Sequence, residues 1–189
     1  MMRNEQTNIL SHVLRFMTVV ALGIVTSAGQ SSDPKTVGDF LLLVPERFMV
    51  GYDIRFRREL LRGEHRGTII DTRNGYISYD ASDNPTGFEF AIFKKNKGGC
   101  IVAYSTGAFF DPEFAAESGN WPTIFLLSYE RGMWSDVTNS LLPVPLNQKL
   151  AYILPRKGKN IEVIDETGRT IHSLAWRNGL FHIQRFTRR

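Results

Sequence analysis

From Gly67 onward the chain alternates apolar and polar positions with a period near two, and turn residues interrupt it at short intervals. The runs GTIIDT and YISYD flank Arg73-Asn74-Gly75, and FEFAIFK and CIVAYSTG flank Asn96-Lys97-Gly98-Gly99. TIFLLSYE and MWSDV flank Arg131-Gly132, NIEVID and RTIHSLAW flank Glu166-Thr167-Gly168, and a last run, LFHIQRF, follows Asn178-Gly179. The pattern predicts antiparallel strands joined as hairpins. Asn-Gly between alternating runs is a strong turn signal, because a tight hairpin needs positive φ at both central positions.

Two of these hairpins share one plan. Ile124, Leu127, Tyr129, Gly132 and Trp134 recur in the same spacing as Ile171, Leu174, Trp176, Gly179 and Phe181. Residues 73–75, RNG, also match 177–179, but three hairpins at uneven separations are too few for a closed ring of blades, so the similarity is read as aromatic residues pairing across a glycine turn.

Before Gly67 the period is helical. Asp53 is placed to cap IRFRRELL, with Phe56, Leu60 and Leu61 on the apolar side, arginines 55, 58 and 62 on the wet side, and Gly63 as the stop. Pro45 can open a short helical turn through Glu46, Arg47 and Phe48, which Gly51 breaks. The fold expected is mainly β, at the border of α+β: an antiparallel meander or small sandwich of hairpins with one or two short N-terminal helices.

The N-terminus follows another logic. Arg3 and Arg15 precede the uncharged run FMTVVALGIV, Phe16 to Val25, which leads into Thr26, Ser27, Ala28 and Gly29. That order predicts a secretory signal peptide over 1–28, a flexible lead-in over 29–36, and one β-rich domain over 37–189. The run is about half the roughly 20 residues that a membrane-crossing helix needs. A bacterial periplasmic or secreted location follows as the expectation, with no stable membrane insertion after cleavage.

The 189 residues are 42% hydrophobic and 22% charged, the profile of a folded domain rather than a disordered chain. The net charge of +4 is modest, and the basic residues fall in groups beside turns and ends, so nucleic acid is not expected as a partner. The lone Cys100 cannot form an internal disulfide, and its place at the head of CIVAY predicts a thiol buried in the core.

Metal and cofactor chemistry finds little support. With Asn178-Gly179 as a two-residue turn, Trp176 pairs with Phe181 and Ala175 with His182. His172 then shares a face with Leu174, while His182 lies with Ser173 and Gln184, so the two histidines cannot share an ion. The run Asp80-Ala81-Ser82-Asp83-Asn84 lacks the glycine and distal glutamate of a calcium loop. No cofactor and no metal are expected.

The longest irregular stretch, Thr106 to Pro122, gathers Phe109, Phe110, Asp111, Glu113 and Trp121. Aromatic faces beside acids suit recognition of a glycan or a peptide, and long loops commonly carry function. No nucleophile elbow is present, and the acids have no designated base. The expectation is a non-enzymatic binding or interaction module of the cell envelope that recognises a protein or glycan through 106–122. The alternative is a small hydrolase of cell-wall or extracellular polymers with Asp111, Glu113 and Asp83 as its acids. A structural subunit of an envelope assembly would instead expose an apolar sheet edge. The stretch Tyr129-x-x-Gly132-x-Trp134-x-Asp136-Val137-Thr138, with Leu142-Pro143 after it, resembles stretches of small secreted bacterial proteins, which implies export and a β-rich fold and transfers no site residue.

Overall fold

Among the described residues, ten strands fall into two antiparallel sheets. The structure is a computed structural model that describes residues 33–80, 87–96, 98–106, 123–147 and 149–184, which from Pro34 on belong to one structural unit. The first sheet is a six-stranded meander: β1 (Thr68–Asp71), β2 (Tyr76–Tyr79), β3 (Phe88–Lys94), β4 (Cys100–Ser105), β5 (Ile124–Glu130) and β6 (Met133–Asp136). The second has β7 (Ala151–Ile153), β8 (Asn160–Ile164), β9 (Thr170–Arg177) and β10 (Leu180–Gln184), each beside its sequence neighbour. The chain is mainly β, as the alternating pattern predicts, and each predicted run contains a strand among the described residues. β7 was not expected, because three residues between proline-flanked loops carry no periodic signal.

The large sheet is covered on both faces. Phe88, Phe90, Val102, Tyr104, Phe125 and Leu127 form one core with α1 (Val37–Leu43) and α2 (Ile54–Leu61). Ala91, Phe93, Ile101, Ala103, Ile124 and Leu126 form a second core with the inner face of the small sheet, through Ile161, Val163, Leu174 and Trp176. The result is three layers, helices on sheet on sheet. It explains why CIVAYS reads as a continuous apolar run: β4 is central, and all six of its residues are buried.

Helix α2 begins and ends where the sequence predicts. The Asp53 carboxylate accepts the Phe56 N–H at 2.7 Å, and Gly63 follows the helix at φ 77°. Helix α1 was missed, although Thr36 and Asp39 make a reciprocal capping box at its start. A third helix, α3 (Thr138–Leu141), follows β6. Arginines 55, 58 and 62 are exposed as expected, but Arg57 is buried. Its guanidinium donates to the backbone carbonyls of Leu41, at 2.9 Å, and Val44, so it caps the C-terminal end of α1 and fastens α2 to it.

Both predicted two-residue hairpin turns have positive φ at each central position: Arg131 and Gly132 at 52° and 81°, Asn178 and Gly179 at 53° and 84°. Across them the ring pairs Tyr129–Trp134 and Trp176–Phe181 sit 4.9 and 4.8 Å apart. Each such pair contributes about 1 kcal/mol beyond its burial.

Candidate functional site

Antiparallel order sorts the connections of the meander. Those after β1, β3 and β5 gather at one end of the large sheet, and those after β2 and β4 leave from the other. The predicted recognition residues Phe109, Phe110, Asp111, Glu113 and Trp121, and the alternative acid Asp83, lie in these last two connections and outside the described residues. What the structure describes is the base that carries them.

That base is closely tied. Ser105 pairs with Ile124, and beyond this pair the Thr106 N–H donates to the Thr123 carbonyl at 3.0 Å. The Ser105 hydroxyl lies against the carbonyls of both Thr123 and Tyr152. The segment 107–122 therefore joins the central strand β4 to its neighbour β5, with its roots bonded to each other.

The small sheet spans the large one from this end toward the β1–β2 turn. The Thr123 hydroxyl donates to the Leu150 carbonyl at 3.1 Å, Ser105 meets the Tyr152 carbonyl, the Leu154 N–H donates to Glu89 at 2.7 Å, and Arg156 donates to Asp71 at 3.2 Å. Every second residue from 150 to 156 thus meets a different strand, in the order β5, β4, β3 and β1. Six residues of extended chain rise about 20 Å, and the four strand spacings from β5 to β1 span about 19 Å. The segment 150–156 therefore runs across the strands of the large sheet.

Glu89 is the central anchor. It is buried, and its two oxygens accept from the Tyr76 hydroxyl, at 2.7 Å, and the Leu154 N–H. Burial pushes its carboxyl above the ordinary value, outweighing the two hydrogen bonds, and burial likewise raises the Tyr76 phenol. With each oxygen held, the group serves to join the sheets. Sequence reading passed over Glu89, although a lone acid in FEFAIFK, on the strand face opposite Phe88 and Phe90, is the signal of a buried polar contact.

The histidines separate as the hairpin register predicts: His182 pairs with Ala175, and Ile183 with Leu174, so His172 and His182 face opposite sides of the small sheet. His65 packs its ring 4.3 Å from Phe56, with Nε2 3.5 Å from a Glu59 oxygen. Cys100 is buried, and burial raises its thiol to about 11. Among the described residues no three His, Cys, Asp or Glu side chains converge as metal ligands, and no helix is long and apolar enough to cross a membrane. Comparison with protein-family models, curated proteins and solved structures finds no match for this chain.

Proposed function

We propose that this chain is an exported, non-enzymatic binding module of the bacterial cell envelope, and that it recognises a protein or glycan through residues 106–122. The observation that supports this reading is the mounting of that segment. It is inserted between the fully buried strand β4 and its neighbour β5, with its roots closed by the Thr106–Thr123 hydrogen bond and held by Ser105 against Tyr152. A rigid scaffold presenting a long connection is the usual architecture of a recognition surface. The aromatic residues Phe109, Phe110 and Trp121 supply stacking faces, and Asp111 and Glu113 supply acceptors for hydroxyl or amide donors.

The test is capture from an envelope extract by the full chain at low and moderate salt, with bound proteins and glycans identified by mass spectrometry. A salt-resistant partner that is lost on Phe109→Ala, Phe110→Ala or Trp121→Ala supports the reading. Turnover of a cell-wall polymer by the unmodified chain, abolished by Asp111→Ala or Glu113→Ala, would replace it with the hydrolase alternative.

A further inference from the structure

The opposite end of the large sheet has a distinct chemistry, assembled from segments far apart in the chain. Asn96 in the β3–β4 turn donates to Asn178 in the β9–β10 turn at 3.2 Å, and the Trp176 indole donates to the Lys94 carbonyl at 2.9 Å. Lys95 reaches Glu130 beside the β5–β6 turn at 3.1 Å, and the Trp176 N–H donates to the Lys159 carbonyl. Three hairpin turns and the start of β8 are thereby joined side by side. Among the described residues of these three turns and the start of β8 are Lys94, Lys95, Arg131, Lys159 and Arg177 and one acid, Glu130, while the β1–β2 turn at the same end adds Arg73 and an Asp71 already paired with Arg156.

Two of these turns also expose an apolar residue directly after the glycine. Met133 follows Gly132 and is 68% exposed, and Leu180 follows Gly179 and is 48% exposed. Hairpin tips are ordinarily polar, and these two hairpins repeat the plan of a glycine, an exposed apolar residue and a buried or half-buried aromatic, each with an arginine within two residues before the glycine. The paired rings beneath fix each tip, so the exposed side chains need little further ordering on contact.

We propose that this three-turn end is a docking surface for an anionic lipid bilayer. Its cations would lie among the phosphate headgroups, while Met133 and Leu180 enter the boundary with the acyl chains. Apolar tips interspersed with cations fit a bilayer rather than a dissolved polyanion, which would use the charges and leave both tips in water. Docking this way turns the Ser105 end of β4, the root of the proposed recognition segment, away from the lipid. The contact is superficial, and its strength falls as salt screens the charges.

The test is sedimentation of the full chain with vesicles of equal parts phosphatidylglycerol and phosphatidylcholine, against phosphatidylcholine alone. Every sample carries the same apolar N-terminal run, so the variants read the turns. Replacing Lys94, Arg131 and Arg177 together by Gln is expected to weaken binding to anionic vesicles about a hundred-fold, at about five-fold per charge. Met133→Ser with Leu180→Ser is expected to weaken it at least about ten-fold. A polarity-sensitive fluorophore on Met133→Cys should shift to the blue with anionic vesicles only. Circular dichroism confirms that each variant is folded. Unchanged binding to anionic vesicles by the triple variant overturns the proposal. So does competition by inorganic polyphosphate with no loss in the serine double variant, which would assign the surface to a soluble polyanion.

Discussion

The Glu89 carboxylate accepts the Leu154 backbone N–H at 2.7 Å across 65 positions of sequence, and it joins the two sheets beside the roots of the segment 107–122. Because burial raises the Glu89 carboxyl, the folded protein holds this proton at pH values where the unfolded chain has released it. Its contribution to stability is therefore complete below the unfolded value of 4.5 and declines as pH rises toward the folded one. Asp39, Asp71, Glu130 and Asp165 have lowered carboxyls and act in the opposite sense, losing their contribution on acidification. Subtracting the stability of Glu89→Gln from that of the unmodified chain isolates the first effect. In urea titrations the difference should fall as pH is raised from about 4.5, and a difference that stays flat with pH would contradict the assignment.

Glu89→Ala should be more damaging than Glu89→Gln. The amide can still accept from Leu154 and donate to the Tyr76 oxygen, whereas alanine leaves two buried donors without a partner. The expected loss is about 3 kcal/mol for alanine and about 1 kcal/mol or less for glutamine, read from denaturant midpoints.

Arg57 holds α2 to the end of α1 through the carbonyls of Leu41 and Val44. Arg57→Met keeps the length and apolar bulk of the side chain but strands both carbonyls, at a cost of about 3 kcal/mol. Arg57→Lys should fall between, because a single ammonium on a flexible stem cannot reproduce the planar fork. Equal stability of the methionine variant and the unmodified chain would show that water satisfies these carbonyls.

Gly67 and Gly132 both have positive φ, at 76° and 81°. A methyl on Gly67 would overlap the Asp80 carbonyl oxygen, whereas one on Gly132 meets nothing within 4 Å. Gly132→Ala should cost about 1 kcal/mol, the conformational penalty alone. Gly67→Ala should cost about 3 kcal/mol or more, since the β1–β2 edge must also move. Thermal melts of the two variants give the comparison directly.

Cys100 packs within the helical core, with its thiol raised to about 11. Its reaction with a thiol reagent near neutral pH should run at least about a hundred-fold slower in the folded protein than in urea, since two pK units withdraw that much thiolate before access is counted. A fast native reaction would mean that the edge of this core opens.

Much of this architecture was legible as periodicity and turn chemistry. The strands of the meander, the β9–β10 register, the two tight turns and the Asp53 cap each depend on neighbours within a few positions, and local sterics and hydrogen bonding fix them. Helix α1 was legible too, through its capping box, but its short apolar run has no clear period. What only the tertiary structure decided depends on groups that meet across tens of residues. Strand β7 is three residues long and exists because β8 pairs with it, while the large sheet holds its Tyr152 carbonyl and the following Leu154 N–H. Arg57 is one cation in a run of similar ones, and only the approach of α1 withdraws it from water. The basic turns of β3–β4, β5–β6 and β9–β10 each read as solvated turns in isolation. Antiparallel alternation and the Asn96–Asn178 contact collect them on one end, because charge spacing along a chain says nothing about distance until the strands that carry it are paired.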